Sequence, residues 1–245
     1  MAHKLFKKHQ ELLNQGLEAL QTRQFFSPYP EHPKAYTAKL DQQGKDAFGR
    51  LLNENFTELN QEAETWIGEE VSPFWQMGLG IQYPRTSIEK YIQNAKESWE
   101  SWRNTSVEQQ TGILIESLER VRARFFELCY ANMHTSGQAY LMSFQAAGPH
   151  AADRALEAVI MGYQELKQMP EQLHFVKPLG KFNLEVEKEW LPIPKGISLV
   201  IGCSTFPTWN SVPGIYASLI TGNPVIVKPH PKSILPIAIF VAELR

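Results

Sequence analysis

The residues with the most chemical potential in this sequence stand in two short loops near its C-terminus. These are Ile201-Gly202-Cys203-Ser204-Thr205-Phe206-Pro207 and Val227-Lys228-Pro229-His230-Pro231. Each follows a short apolar run, and loops at the C-terminal ends of neighbouring parallel strands are where open α/β sheets bind ligands. A lysine leaving such a strand presents a compact charge with three donors, able to meet a ribose hydroxyl or a phosphate. Neither loop has the spacing of G-x-G-x-x-G or of a Walker A lysine motif, so neither of those phosphate cradles is present. Taken singly, Lys228 also reads as a solvated strand-end lysine, and His230 as a loop residue facing solvent. The two cysteines divide: Cys203 lies in the first loop, while Cys129 lies on an amphipathic stretch as a small packed side chain.

The elements that must position these loops follow from the patterning. Residues 195–202 read as a strand buried on both faces, 208–221 as a crossover helix whose regular part Pro213 moves later, and Gly222-Asn223 as its stop. Residues 224–228 read as a second buried strand and 234–244 as a further helix, which together give the βαβα order of a doubly wound domain. Upstream, Phe182, Leu184 and Val186 alternate with polar residues, the period of a half-buried strand. Helical spacing covers 5–20, 42–64, 88–102, 106–133 and 151–167, with Thr86 and Glu89 in the form of a capping box and either Thr105 with Glu108 or Ser106 with Gln109 as a second start. Trp99 and Trp102 read as core on one apolar stripe, and the three prolines of 28–33 as a surface loop. The fold class is therefore α/β. Residues 1–80 form an N-terminal helical extension, 81–194 helices and a half-buried strand, and 195–245 the first βαβα of a Rossmann-like nucleotide-binding domain.

A net charge of −2 argues against a nucleic-acid surface, no apolar run suggests a membrane span, and two cysteines point to a reducing cytoplasm. The N-terminus lacks the features of a secretory signal. Two parallel strands leave much of a sheet uncovered, so more strands are expected to follow or to come from another polypeptide. A small open sheet completed by the strand at 182–186 is the alternative.

The combination of a buried strand, a loop ending in Phe206-Pro207, a helix, Gly222-Asn223 and Val225-Ile226-Val227-Lys228-Pro229 resembles the aldehyde dehydrogenase superfamily. The resemblance runs from about Ile81 to Arg245 and includes Thr135-Ser136-Gly137-Gln138. The wording of Cys203-Ser204-Thr205-Phe206-Pro207-Thr208-Trp209-Asn210 and of Lys228-Pro229-His230-Pro231 is most similar to the branch associated with phenylacetic acid degradation. The resemblance implies NAD(P)-dependent oxidation of an aldehyde to an acid or thioester in a homo-oligomeric parent enzyme. A cysteine would attack the aldehyde, and hydride transfer to the nicotinamide would follow. Neither Cys129 nor Cys203 is at the nucleophile's position; that cysteine and its general-base glutamate are expected beyond Arg245, so this chain alone is expected to be inactive.

The resemblance also implies site residues. Gly202, Cys203, Ser204, Thr205, Lys228, Pro229, His230 and Pro231 would line the cofactor. Thr205 stands where the family has its oxyanion-stabilising asparagine, so it is the candidate catalytic residue, with a helix-capping role as the alternative. Asn210 is a second candidate donor. Pro231 replaces the family's ribose-binding carboxylate, and with Lys228, His230 and Lys232 nearby this implies that NADP is accepted, up to being preferred over NAD. Two other classes stay open: a nucleotide-binding protein without catalysis, and a structural or interaction protein derived from the family.

Overall fold

The computed structural model describes residues 2–244 and is a mixed α/β fold. Its body is helical. Helix α1 (Ala2–Thr22) lies across α4 (Val107–Arg122) and α7 (Pro149–Leu166), and α2 (Ala38–Leu51) packs on α5 (Phe125–Ser136). Between α2 and α3 (Ile88–Arg103) come four short strands, β1 (Thr65–Ile67), β2 (Val71–Ser72), β3 (Met77–Gly78) and β4 (Tyr83–Arg85), paired β1–β4 and β2–β3. One continuous core runs from Leu13, Tyr29, Phe48 and Phe56 through α4, α5, α6 (Tyr140–Ala147) and α7. Phe125 is at its centre, edge-on to Tyr29, Tyr36 and Phe144.

Several sequence expectations are corrected here. The helix expected over 42–64 stops at Leu51, two residues before Asn53 takes a positive φ of 61° that no helix accommodates. Thr86 is not the cap of α3: Ser87 accepts from the Lys90 N–H, and the Thr86 hydroxyl instead donates to Glu64. The run over 106–133 is two helices, separated at Ala123 and Arg124. Its start is as expected, since Ser106 and Gln109 make both bonds of a capping box. Trp99 and Trp102 are both half-buried, Trp102 packing against the core and Trp99 outside it, and their indole N–H groups donate to the carbonyls of Gly222 and Leu219.

The segment at 182–186 belongs to β6 (Phe182–Glu189), which pairs antiparallel with β5 (Gln172–Leu179). Both strands are exposed nearly throughout, so the expected half-burial is wrong, and β6 does not complete the sheet that follows. That sheet is the parallel pair β7 (Ser198–Ile201) and β8 (Val225–Lys228). Val200, Val225 and Val227 pack against the core, whereas Leu199 is 62 % and Ile201 68 % exposed. Burial on both faces is therefore not found. Helix α8 (Pro207–Ile220) joins the two strands and runs through Pro213 from its first turn, earlier than expected, and α9 (Leu235–Ala242) follows β8.

Candidate functional site

Parallel register sets the site. Ser198 to Ile201 pair with Val225 to Lys228 in order, so both strands end together and the two loops leave side by side. The Gly202 N–H donates to the Lys228 carbonyl at 2.9 Å, extending the ladder by one bond into the loops. A side chain at position 202 would put its Cβ 3.2 Å from Ser211 Oγ and 3.3 Å from Pro229 Cα. Glycine is what permits this approach.

The strand spacing is held at the far end by the Gly222-Asn223 pair. Gly222 has a φ of 78°, and Asn223 Oδ1 accepts from the Gly196 N–H at 3.0 Å while its amide donates to the Thr221 carbonyl at 3.1 Å. One side chain thus ties the end of α8 to the entry of β7.

Around the loop end, Thr205, Lys228, Pro231 and Lys232 are exposed, and Cys203, Ser204, Pro229 and His230 are half-buried. All the sequence-selected residues therefore gather at one end of the parallel pair. Two exposed lysines beside open loop backbone match the needs of a phosphate-bearing dinucleotide. His230 turns inward on its own loop: its Nδ1 accepts from the Lys232 N–H at 3.2 Å, and its carbonyl accepts from the Ser233 N–H at 2.9 Å.

The first loop is organised about sulfur. Burial acts to raise the Cys203 thiol, but the Asn210 amide donates to it at 3.3 Å and the backbone N–H dipoles of Phe206 and Thr205 favour the thiolate. Together they hold it below the ordinary thiol value. Asn210, the second candidate oxyanion donor, thus spends its amide on Cys203. Thr205 does not cap α8, whose N-cap is Phe206 without a side-chain bond. By contrast Cys129 is fully buried and its thiol is pushed well up by burial.

Sequence reasoning missed the groups that hold these loops from outside. Gln138, just after α5, donates its amide to the Thr205 carbonyl and accepts from Asn132 Nδ2 at 2.9 Å. Ser233 Oγ donates to Thr135 Oγ1 at 3.0 Å. The stretch Thr135-Ser136-Gly137-Gln138 reads in the sequence only as a motif; its bonds to Thr205 and Ser233 join residues 67 and 98 apart, where no local pattern shows them.

Residues 80–245 match the model of the aldehyde dehydrogenase family. The chain belongs to that family. It is similar to an NAD-dependent aldehyde dehydrogenase from Burkholderia multivorans, with 43 % identity and a TM-score of 0.94 over 100 % of this chain and 44 % of that one. It is 29 % identical over 162 residues to 1-pyrroline-5-carboxylate dehydrogenase 2 of Bacillus subtilis, covering 64 % of this chain and 28 % of that protein. A Thermus 1-pyrroline-5-carboxylate dehydrogenase with bound NAD shares the fold at 13 % identity and a TM-score of 0.65, over 90 % of this chain and 42 % of that one. This family member thus spans less than half the length of these relatives. Among the described residues no helix is long and apolar enough to cross a membrane, and no cluster of three potential ligands could hold a metal ion.

Proposed function

We propose that this chain supplies the adenosine side of the cofactor site of an NAD(P)-dependent aldehyde dehydrogenase. The observation that carries the reading is the convergence of both loops at one end of the parallel pair, fixed by the Gly202 to Lys228 bond. The bound dinucleotide would supply a hydride acceptor. The chain's own residues would bind and orient it. Lys228 would donate to a ribose hydroxyl or phosphate, the backbone of Gly202, Cys203, Ser204 and Thr205 would line one side, and Pro229, His230 and Pro231 the other. With proline at 231, no carboxylate is there to repel a 2′-phosphate, so NADP is accepted alongside NAD. Titration of the chain with each nucleotide tests this. Saturable binding of both is expected, and binding of neither would sink the reading.

For the parent enzyme, the loop wording similar to the phenylacetate branch supports an aldehyde from aromatic-acid breakdown, although two of the relatives above are named for pyrroline-5-carboxylate. Turnover of an aromatic aldehyde against that of 1-pyrroline-5-carboxylate by the full-length protein decides between them. Thr205 would contribute one oxyanion hydrogen bond. Thr205→Val is expected to lower turnover about tenfold or more, and unchanged turnover would remove Thr205 from the mechanism. A cytoplasmic site of action is in keeping with two free cysteines.

A second reading is favoured by one feature. Exposed apolar residues on β7 and on the β5–β6 ribbon, Leu199, Ile201, Phe182 and Leu184 among them, suit pairing with further polypeptide. It is compatible with a homo-oligomeric parent. As the sole role, a scaffold would show no nucleotide binding.

A further inference from the structure

Helix α9 begins directly after the second loop, and its start has no local cap. Its N-cap residue is Ile234, an aliphatic residue without an acceptor, followed by Leu235 and Pro236. The first backbone N–H groups of a helix have no partner inside it, and buried ones need an acceptor from elsewhere. Here the acceptor comes from 164 residues back in the chain. Glu70 Oε1 accepts from the Ile234 N–H at 2.5 Å and the Leu235 N–H at 2.9 Å, and the Tyr83 hydroxyl donates to Oε2. Glu70 is only 3 % exposed. Three donors converge on it, and a carboxylate at the positive end of a helix is favourably placed.

The consequence for the loop is geometric. Residues 229–233 span from a strand end to a helix start. The strand end is fixed by the Gly202 to Lys228 bond, and the helix start by Glu70. Ser233, bonded to Thr135, adds an anchor beside the helix start. Pro231 and Lys232, exposed at the middle, are therefore carried on a short bridge with both piers set. The pier at Glu70 lies in the segment before residue 80, outside the part that matches the family model.

We propose that Glu70 is a positioning residue for the cofactor loop, acting through the N-terminus of α9, so that the N-terminal extension is a working part of the nucleotide site. This rests on the cofactor reading above. It predicts different outcomes for two substitutions. Glu70→Ala leaves two N–H groups and the Tyr83 hydroxyl without their partner in a buried place. Glu70→Gln keeps an acceptor for the N–H groups and can donate its amide to the Tyr83 oxygen.

The test uses the whole chain, with amide hydrogen exchange over 229–235 and NADP titration on each variant. For Glu70→Ala we expect exchange over 229–235 to speed up, and NADP affinity to fall, by about tenfold each, the scale of a lost helix cap with charge-assisted bonds. Glu70→Gln should recover most of both. Ser27→Ala, which removes a bond from the same extension to Asp153, should change neither. Wild-type exchange over 229–235 in Glu70→Ala overturns the proposal. So does a loss of affinity that Glu70→Gln shares in full, or one that merely tracks faster exchange across the whole core. If the wild-type chain binds no nucleotide, the cofactor reading fails, and with it the proposed role in the nucleotide site. The exchange arm then still decides whether Glu70 holds the loop.

Discussion

Phe125 and Ile201 are apolar residues of one chain in opposite surroundings. Phe125 is sealed among Tyr29, Tyr36 and Phe144 in the helical body, while Ile201, on a parallel strand, is 68 % exposed. The core of the body is closed by its own helices, by those of the N-terminal extension and by the inner faces of α8 and α9. The parallel pair is covered on one face by that body and open on the other. The two regions nonetheless share one apolar core, since α8 and α9 bury Val212, Ile215, Tyr216, Leu235 and Phe240 in it, and polar bonds from Gln138, Thr135 and Glu70 add to that packing at the open end.

The sharpest way to break this contrast is to truncate at both ends of it. Phe125→Ala is expected to cost about 3–5 kcal/mol in urea denaturation, and Ile201→Ala well under about 1 kcal/mol. Similar losses would show that the body is not the seat of stability. Next in size is Gly222→Ala, which combines a φ of 78° with a Cβ that would lie 2.8 Å from Pro194 Cγ. It should cost about 1–2 kcal/mol from the backbone alone, and the same measurement checks it.

Asp153 offers a pH test confined to the body. Burial pushes its carboxyl from 3.8 up to about 6, against the Ser27 hydroxyl bond that favours the ionised form. The folded state then holds this proton more tightly than the unfolded chain does. Its contribution to stability is fully present at low pH and is lost as pH rises through about 6. Asp153→Asn should remove that decline and be the more stable protein at neutral pH, as read from unfolding midpoints against pH. The smallest effect is chemical. At neutral pH a thiol alkylating reagent should label Cys203 and spare Cys129 until the chain unfolds, by peptide mass analysis. Asn210→Ala should slow the labelling.

Where sequence and structure agree, the signal is local. The Ser106 and Gln109 box, Gly222-Asn223 and the two strands around α8 are each specified within a few neighbouring residues. The misses are of two kinds. Thr86 and Ser87 both stand three residues before a polar side chain, and tertiary contact with Glu64 decided which one capped. Strand β5 went unseen because Pro178 and the polar residues around it blur its alternation, although its partner β6 was found. As for the site, the loops and their lysine were legible as motifs. Gln138 and Glu70 were not, since a bond between Glu70 and Ile234 joins residues 164 apart and leaves no trace in either neighbourhood.

The two indoles of α3 give the molecule a built-in optical gauge. Trp99 donates to the Gly222 carbonyl just past α8 and Trp102 to the Leu219 carbonyl in its last turn, 3.1 and 2.8 Å away, and both rings are shielded there only in part. Lifting α8 and its strands from the body would free both N–H groups to water at once. A red shift in emission that is lost when both are replaced by phenylalanine would then report separation of α8 from α3.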